Sequence, residues 1–371
     1  MLFEEYKLKN LVLRNRVVMA PMTRNQSPGG IPTDDVISYY ARRAKAEVGL
    51  IITEGIEVSH KASSAYPNVP RLDTNEAREG WKKVVDGIKN NNGAVIAQLW
   101  HCGGFRKLGM QPNPEVPGYT ASGLVKPGKK VAHEMTIKDI KETIDAYASD
   151  AKICQDLGFD GVEIHGAHGY LIHQFLSPHA NRRNDIYGGS EENRMRFAVE
   201  IAEEVRSKWP LNKPLFVRLS VEDDAGWGPD ENVRLSRVLK SKGIDVIDCS
   251  SGGIRGAPVV SAGPVGYGYQ VPYAEKLKKE ALIQTMAVGL IVHADQAEEI
   301  LQSGRADLIA IAREAMQNPN WPLDAAQKLN ASAPYALMPS PYEYWLEKRA
   351  KQVETLIPST HTEGINIRPS D

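Results

Sequence analysis

Eight short β-branched runs, separated by longer amphipathic stretches, limit what this chain can become more than any other feature. The runs fall at residues 16–20, 48–54, 94–100, 161–165, 214–220, 244–250, 287–292 and 307–312. Helical patterns lie among them at 136–157, 191–208, 232–242, 295–304 and 323–329. In the first of these, Ile137, Ile140, Ile144, Ala148, Ala151 and Cys154 recur at spacings of three and four, which places them on one helical face. Strands that alternate with helices form a parallel sheet, and eight is the number that closes such a sheet. The expected fold class is α/β, a single (β/α)8 TIM barrel. A doubly wound open sheet is the competitor, and the lack of G-x-G-x-x-G after the first strand weakens it.

Length and composition agree with that reading. A chain of 371 residues is long for one domain, but α/β barrels are a standing exception. Residues 1–357 are expected to form the barrel. The Pro- and Gly-rich segment 101–134, after the third strand, is too long for a turn and is expected to make a lid or hairpin over the mouth. The residues before Arg16 are expected to plug the barrel bottom, and 358–371 to form a flexible tail. With 45 basic and 46 acidic residues the net charge is -1, which points away from nucleic acid or a membrane surface as partner. No apolar run approaches the ~18 residues of a membrane span. The start, Met1-Leu2-Phe3-Glu4-Glu5, is acidic where a secretory signal would be basic. Cys102, Cys154 and Cys249 are too scattered for a cluster or disulfide framework, so a reducing cytoplasm is the expected location.

The densest chemistry follows the fourth strand, in Gly161-Val-Glu-Ile-His165-Gly-Ala-His168-Gly-Tyr170. Strand C-termini are where barrels place active sites. Gly166 and Gly169 allow a tight turn, so His165, His168 and Tyr170 can converge. Two imidazole N–H groups can stabilise charge developing on one carbonyl or nitro oxygen. Tyr170, protonated at neutral pH, can then supply a proton. Two other readings stand beside this one. The three residues could be hydrogen-bonded turn residues, or His165, His168, His173 and His179 could hold a metal, although no H-E-x-x-H spacing is present.

A second site is expected across the barrel, where loops after strands seven and eight commonly bind phosphate. Gly289, Ala312 and Arg313 occupy those slots, and Ser250-Ser251-Gly252-Gly253 after strand six offers backbone donors. These residues favour a phosphate-bearing cofactor without saying which.

The stretch EIHGAHGYLIHQFLSPHANRRNDIYGGSEENRMRF at 163–197 resembles the Old Yellow Enzyme family of FMN-dependent ene-reductases. NRVVMAPMTR, TEG at 53–55, QLWH at 98–101, FVRLS at 216–220 and ADLIAIAREAMQNPNW extend the resemblance from Leu2 to about Arg349. The resemblance implies that Ala20, Pro21, Met22 and Thr23 run along the flavin, with the Thr23 hydroxyl near C4 and N5. It implies that Gly55 passes the ring edge, Gln98 bonds the pyrimidine, and Arg218 sits by N1 and the C2 carbonyl. Gly289, Ala312 and Arg313 would hold the FMN phosphate, and Gly253 stands with them as a cofactor-binding candidate through the backbone donors of the loop after strand six. His165 and His168 would grip a substrate carbonyl, Tyr170 would protonate Cα, and Trp100 would wall the pocket. The implied reaction is ping-pong. NADPH or NADH reduces FMN, and an α,β-unsaturated carbonyl or nitro compound then takes hydride at Cβ.

Some positions depart from the family pattern. One subgroup carries Cys where this chain has Thr23, and the usual Arg after the third strand is missing from His101-Cys102-Gly103-Gly104. The aromatic end Tyr342, Tyr344, Trp345 and Arg349 resembles the segment that relatives insert into a neighbouring subunit's pocket, so a homo-oligomer is expected. A related flavin reductase or dehydrogenase with an iron–sulfur partner would need clustered cysteines. A non-catalytic flavin- or phosphate-binding barrel is the alternative of another class, and the presence of all three central polar residues speaks against it.

Overall fold

A computed structural model describes residues 1–126, 129–130, 132–255, 265–338 and 341–353, with backbone only at 125–126 and 129–130. The tail expected at 358–371 lies outside the described residues. Eight parallel strands close a barrel: β1 (Val17–Met19), β2 (Leu50–Glu57), β3 (Ala94–Trp100), β4 (Gly161–Gly166), β5 (Leu215–Glu222), β6 (Val246–Ser251), β7 (Gln284–Ala287) and β8 (Leu308–Ile311). Each pairs with the next, and β8 pairs back onto β1 through Ile309–Val17, Ala310–Val18 and Ile311–Met19.

The strands read as nearly continuous apolar runs because both faces are covered. Side chains alternate between two layers. Val18, Leu50, Ile52, Ile96, Phe216, Val246, Met286 and Leu308 point inward and fill the lower barrel. Val17, Met19, Ile51, Val95, Val162, Val217 and Ile247 point outward and pack under the helices. An antiparallel hairpin, Tyr6–Leu8 with Leu11–Leu13, inserts the buried Leu8 and Leu13 into the inner layer and closes the bottom.

The outer ring contains α1 (Asp34–Lys45), α2 (Asn75–Lys89), α3 (Ile137–Leu157), α4 (Leu171–Leu176), α5 (Glu191–Lys208), α6 (Pro229–Ser241), α7 (Val271–Ala281), α8 (Ala294–Gln302), α9 (Arg313–Gln317), α10 (Trp321–Lys328) and α11 (Tyr342–Val353). Local signals set several ends. A Thr136–Asp139 capping box starts α3, and Gly158 at φ 91° stops it. Between β3 and α3 the chain forms a short 3-10 turn at Gly103–Phe105. Two small strand pairs follow, Tyr119–Thr120 with His133–Glu134 and Leu124–Lys126 with Lys129–Lys130.

The seventh strand corrects the expectation of 287–292. It ends at Ala287, having paired Val246–Gln284 through Cys249–Ala287 with β6. Gly289, at φ 112°, turns the chain out of the sheet. The apolar residues Val288, Leu290, Ile291 and Val292 then line a cavity at the mouth, with Val288 and Ile291 also packed into the core.

Candidate active site

The cavity has a volume of about 540 Å³, which suits a cofactor. It spans the barrel mouth from the β4 side, with His165, His168 and Tyr170, to the β8 side, with Ala312 and Arg313. Pro21, Met22, Thr23, Gln98, Trp100, Arg218 and Gly289 also line it. Three expected cofactor residues do not. Ala20 belongs to the inner apolar layer. Gly55 gives room to a neighbour, since a Cβ there would lie 2.4 Å from the Trp100 ring. Gly253 packs against the His168–Gly169 turn, where a Cβ would lie 2.2 Å from the His168 carbonyl carbon.

That turn is built by backbone geometry that few sequences allow. His168 and Gly169 both have left-handed φ, 61° and 75°. Gly169 accepts no side chain, because a Cβ would sit 2.1 Å from the Gly253 carbonyl oxygen. The His168 N–H donates to Ser220 Oγ at 3.0 Å, and Ser220 donates onward to the Gly252 carbonyl at 2.7 Å. The Gly169 N–H donates to His173 Nδ1 at 2.9 Å, so the proton of that imidazole is on Nε2. Nε2 faces the fully buried Asp223 carboxylate at 3.2 Å. Asp223 also accepts the N–H groups of Ala225 at 2.7 Å and Trp227 at 2.9 Å. The strut Asp223–His173–Gly169 thereby fixes the loop that carries His168 and Tyr170.

The three side chains converge. The His165 and His168 ring centroids are 5.1 Å apart, and His165 and Tyr170 are 5.3 Å apart. Trp100 meets Tyr170 edge-on at 4.7 Å. Tyr66, on the loop after β2, stacks on Trp100 and brings its hydroxyl to 3.1 Å from the Tyr170 hydroxyl. Burial, then the Arg218 charge, push both His165 and His168 well below the usual imidazole range. Both are therefore neutral, each with one N–H to give. His168 Nε2 lies 2.7 Å from Ser250 Oγ, while the buried His165 Nδ1 has no partner. Burial, then Cys102 and Tyr66, push the Tyr170 phenol above its ordinary value, so it keeps its proton. Among the described residues no three His, Cys, Asp or Glu side chains form a metal-sized cluster.

The far end suits an anion. Arg313 opens α9 and has no ion-pair partner among the described residues, while Gly289 packs so closely that a Cβ would lie 3.1 Å from both Tyr269 and Gln270. Val288, Ile291, Pro21 and Met22 give apolar walls, and Gln98 and Arg218 give polar groups. An aromatic ligand with a phosphate tail fits this set. Sequence reasoning missed Tyr66, Tyr269 and Gln270. Tyr269 and Gln270 stand in a Gly-Tyr-Gly-Tyr-Gln run whose glycines were its one signal, and nothing marked Tyr66 beyond a lone aromatic in a loop.

The family described as NADH:flavin oxidoreductase / NADH oxidase matches residues 1–332. The NADPH dehydrogenase of Halalkalibacterium halodurans is 41% identical over 336 residues, covering 89% of this chain and 95% of that one. The NADPH dehydrogenase of Clostridium acetobutylicum is 40% identical over 347 residues, covering 92% and 98%. The old yellow enzyme homologue from Zymomonas mobilis superposes with a TM-score of 0.75 at 27% identity, covering 89% of this chain and 93% of its own. Morphinone reductase in complex with tetrahydroNAD gives 0.76 at 26% identity, covering 89% and 91%. This chain belongs to the NADH:flavin oxidoreductase / NADH oxidase family, and is an FMN-dependent oxidoreductase of the Old Yellow Enzyme type that takes its electrons from a nicotinamide donor.

Proposed function

We propose that the enzyme is an ene-reductase acting on α,β-unsaturated carbonyl or nitro compounds, with NADPH or NADH as donor. The observation that carries this reading is the convergence of two neutral imidazoles and one protonated phenol at one end of an FMN-sized cavity. Bound FMN supplies the two-electron hydride chemistry. Gly289, Ala312 and Arg313 would hold its phosphate, Gln98 and Arg218 would serve its pyrimidine ring, and Thr23 and Pro21-Met22 would line its side of the cavity. His165 and His168 donate to the substrate oxygen and stabilise the negative charge that develops there as Cβ gains hydride. Trp100 and Tyr66 wall the substrate and exclude water. Tyr170 gives its hydroxyl proton to Cα and becomes a phenolate, which the Tyr66 hydroxyl at 3.1 Å stabilises until it is reprotonated. Three buried cysteines without disulfides accord with work in the cytoplasm.

Tyr170→Phe separates binding from proton transfer. Stopped-flow traces should show flavin reduction by NADPH nearly intact and reoxidation by an enone slowed by ~10²-fold or more. Equal slowing of both half-reactions would make Tyr170 a positioning residue. We also infer that the chain assembles through α11, where Tyr342, Tyr344 and Trp345 are about 60% exposed. Sedimentation should give a dimer or larger species, and Trp345→Ala should shift it toward monomer. A wild-type monomer with full activity would rule this out.

A further inference from the structure

Below the mouth, one guanidinium serves two carboxylates. Glu163 on β4 and Asp248 on β6 are both 0% exposed, and Arg218 on the intervening β5 is 7% exposed. Arg218 is in register with Asp248, and its Nε lies 3.1 Å from Asp248 Oδ2. Glu163 is in register with Gln98 on β3 and accepts its Nε2–H at 2.8 Å. The other Glu163 oxygen, both Asp248 oxygens and Arg218 Nε are buried without a hydrogen-bond partner, so Arg218 meets Asp248 as an ion pair out of hydrogen-bond alignment. The group is therefore short of one positive charge, and three of its four carboxylate oxygens lack a donor. With both acids ionised the group carries one uncompensated negative charge in a dry interior, which is strongly unfavourable. One proton on the pair removes that charge and turns an orphan acceptor into a donor.

Among the described residues, no further ion pair or hydrogen bond reaches the two acids. β3 presents the uncharged Gln98, β5 presents Arg218, and on β7 the residue opposite Asp248 is Met286. On β4 itself, His165 is neutral, held so by burial and by Arg218. Burial and mutual repulsion push Glu163 upward against the pull of Arg218, and burial pushes Asp248 up as well.

We propose that Glu163 and Asp248 hold one proton between them, and that this proton is a charge reservoir beneath FMN. The two residues that contact the acids, Gln98 and Arg218, are the two that line the cavity above them. The inference rests on the reading that those two face the pyrimidine ring. Negative charge arriving on FMN on reduction then strengthens the pair's hold on its proton. In the pH range where the pair titrates, reduction takes up as much as one extra proton. For a two-electron couple this adds about 30 mV per pH unit to the slope of the midpoint potential.

The test is a spectroelectrochemical titration of wild-type, Glu163→Gln and Asp248→Asn holoenzymes across about pH 6–9. Wild type should show the added slope, and both variants should lose it. A variant-independent readout is the reduced-minus-oxidised infrared spectrum of wild type, which should contain a protonated-carboxyl band that shifts in deuterium oxide. No such band, or an unchanged slope in whichever variant folds with FMN, overturns the shared proton. Gln98→Ala tests the underlying placement separately. If it left both the FMN dissociation constant and the potential unchanged, the pyrimidine assignment would fail whatever the acid pair does.

Discussion

Replacing Gly253 by alanine probes whether the His168–Gly169 turn is held by shape alone. The added methyl would lie 2.2 Å from the His168 carbonyl carbon, 2.5 Å from the Gly169 nitrogen and 2.5 Å from His168 Cα. All three are backbone atoms, so no rotamer change relieves the overlap. Gly253 also sits at φ 120°, a conformation that costs a side-chain-bearing residue ~1–3 kcal/mol. Overpacking adds ~1–3 kcal/mol. The sum, ~2–6 kcal/mol, is a large share of a typical domain's ~5–15 kcal/mol. It can be absorbed as lost stability or by displacing the His168–Gly169 turn, which would break the 2.7 Å contact from His168 to Ser250. Thermal melts read the first route, and titration with a phenol, the ligand expected of the proposed His165–His168 donor pair, reads the second. Gly266→Ala is the control, since a Cβ there meets nothing within 4 Å and should change stability by less than ~0.5 kcal/mol. Wild-type melting together with wild-type phenol affinity in Gly253→Ala would refute the wedge.

Two further outcomes follow from buried groups. His173→Ala removes the acceptor of the Gly169 N–H and the imidazole facing Asp223, so it should cost ~1–3 kcal/mol and weaken phenol binding; a loss under about 0.5 kcal/mol in chemical denaturation would remove the strut. Burial pushes Glu57 up to about 7 against hydrogen bonds from Ser64 and Ala65. Its contribution is therefore fully present below the unfolded value of 4.5 and lost as pH rises through about 7. Glu57→Gln should flatten the fall in stability between about pH 4.5 and 7 by on the order of 3 kcal/mol, and an unchanged profile would show that Glu57 does not titrate there.

The barrel was legible because each strand is buried on both faces and so reads as a short apolar run. The same cue misplaced β7. Val288, Ile291 and Val292 are as apolar as strand residues, yet they face the cavity. Hydrophobicity reports removal from water, and says nothing of whether a neighbour or a cofactor removes it. The convergence of three polar rings was legible for a different reason: His165, His168 and Tyr170 lie within six residues, so a local turn suffices to bring them together. Tyr66 and Asp223 reach the same turn from other loops, and no local pattern links them to it.

The layer beneath the mouth shows how far such a reading extends. Gln98, Glu163, Arg218 and Asp248 each interrupt an apolar strand, in VIAQLW, GVEIH, FVRLS and VIDCS. A strand covered on both faces gives a polar side chain no water, so each interruption demands a partner from another strand. That demand is readable in the sequence, and so is the imbalance of two acids against one base. The pairing is not, because it depends on barrel register. Register sets Glu163 opposite Gln98 and Arg218 opposite Asp248, and so joins the four into one group under the mouth. A polar residue inside a doubly covered strand therefore marks where folding spends stability. Where four of them meet at the strand ends of a barrel, the cost falls at the active site, and the proton they share is available to the chemistry above.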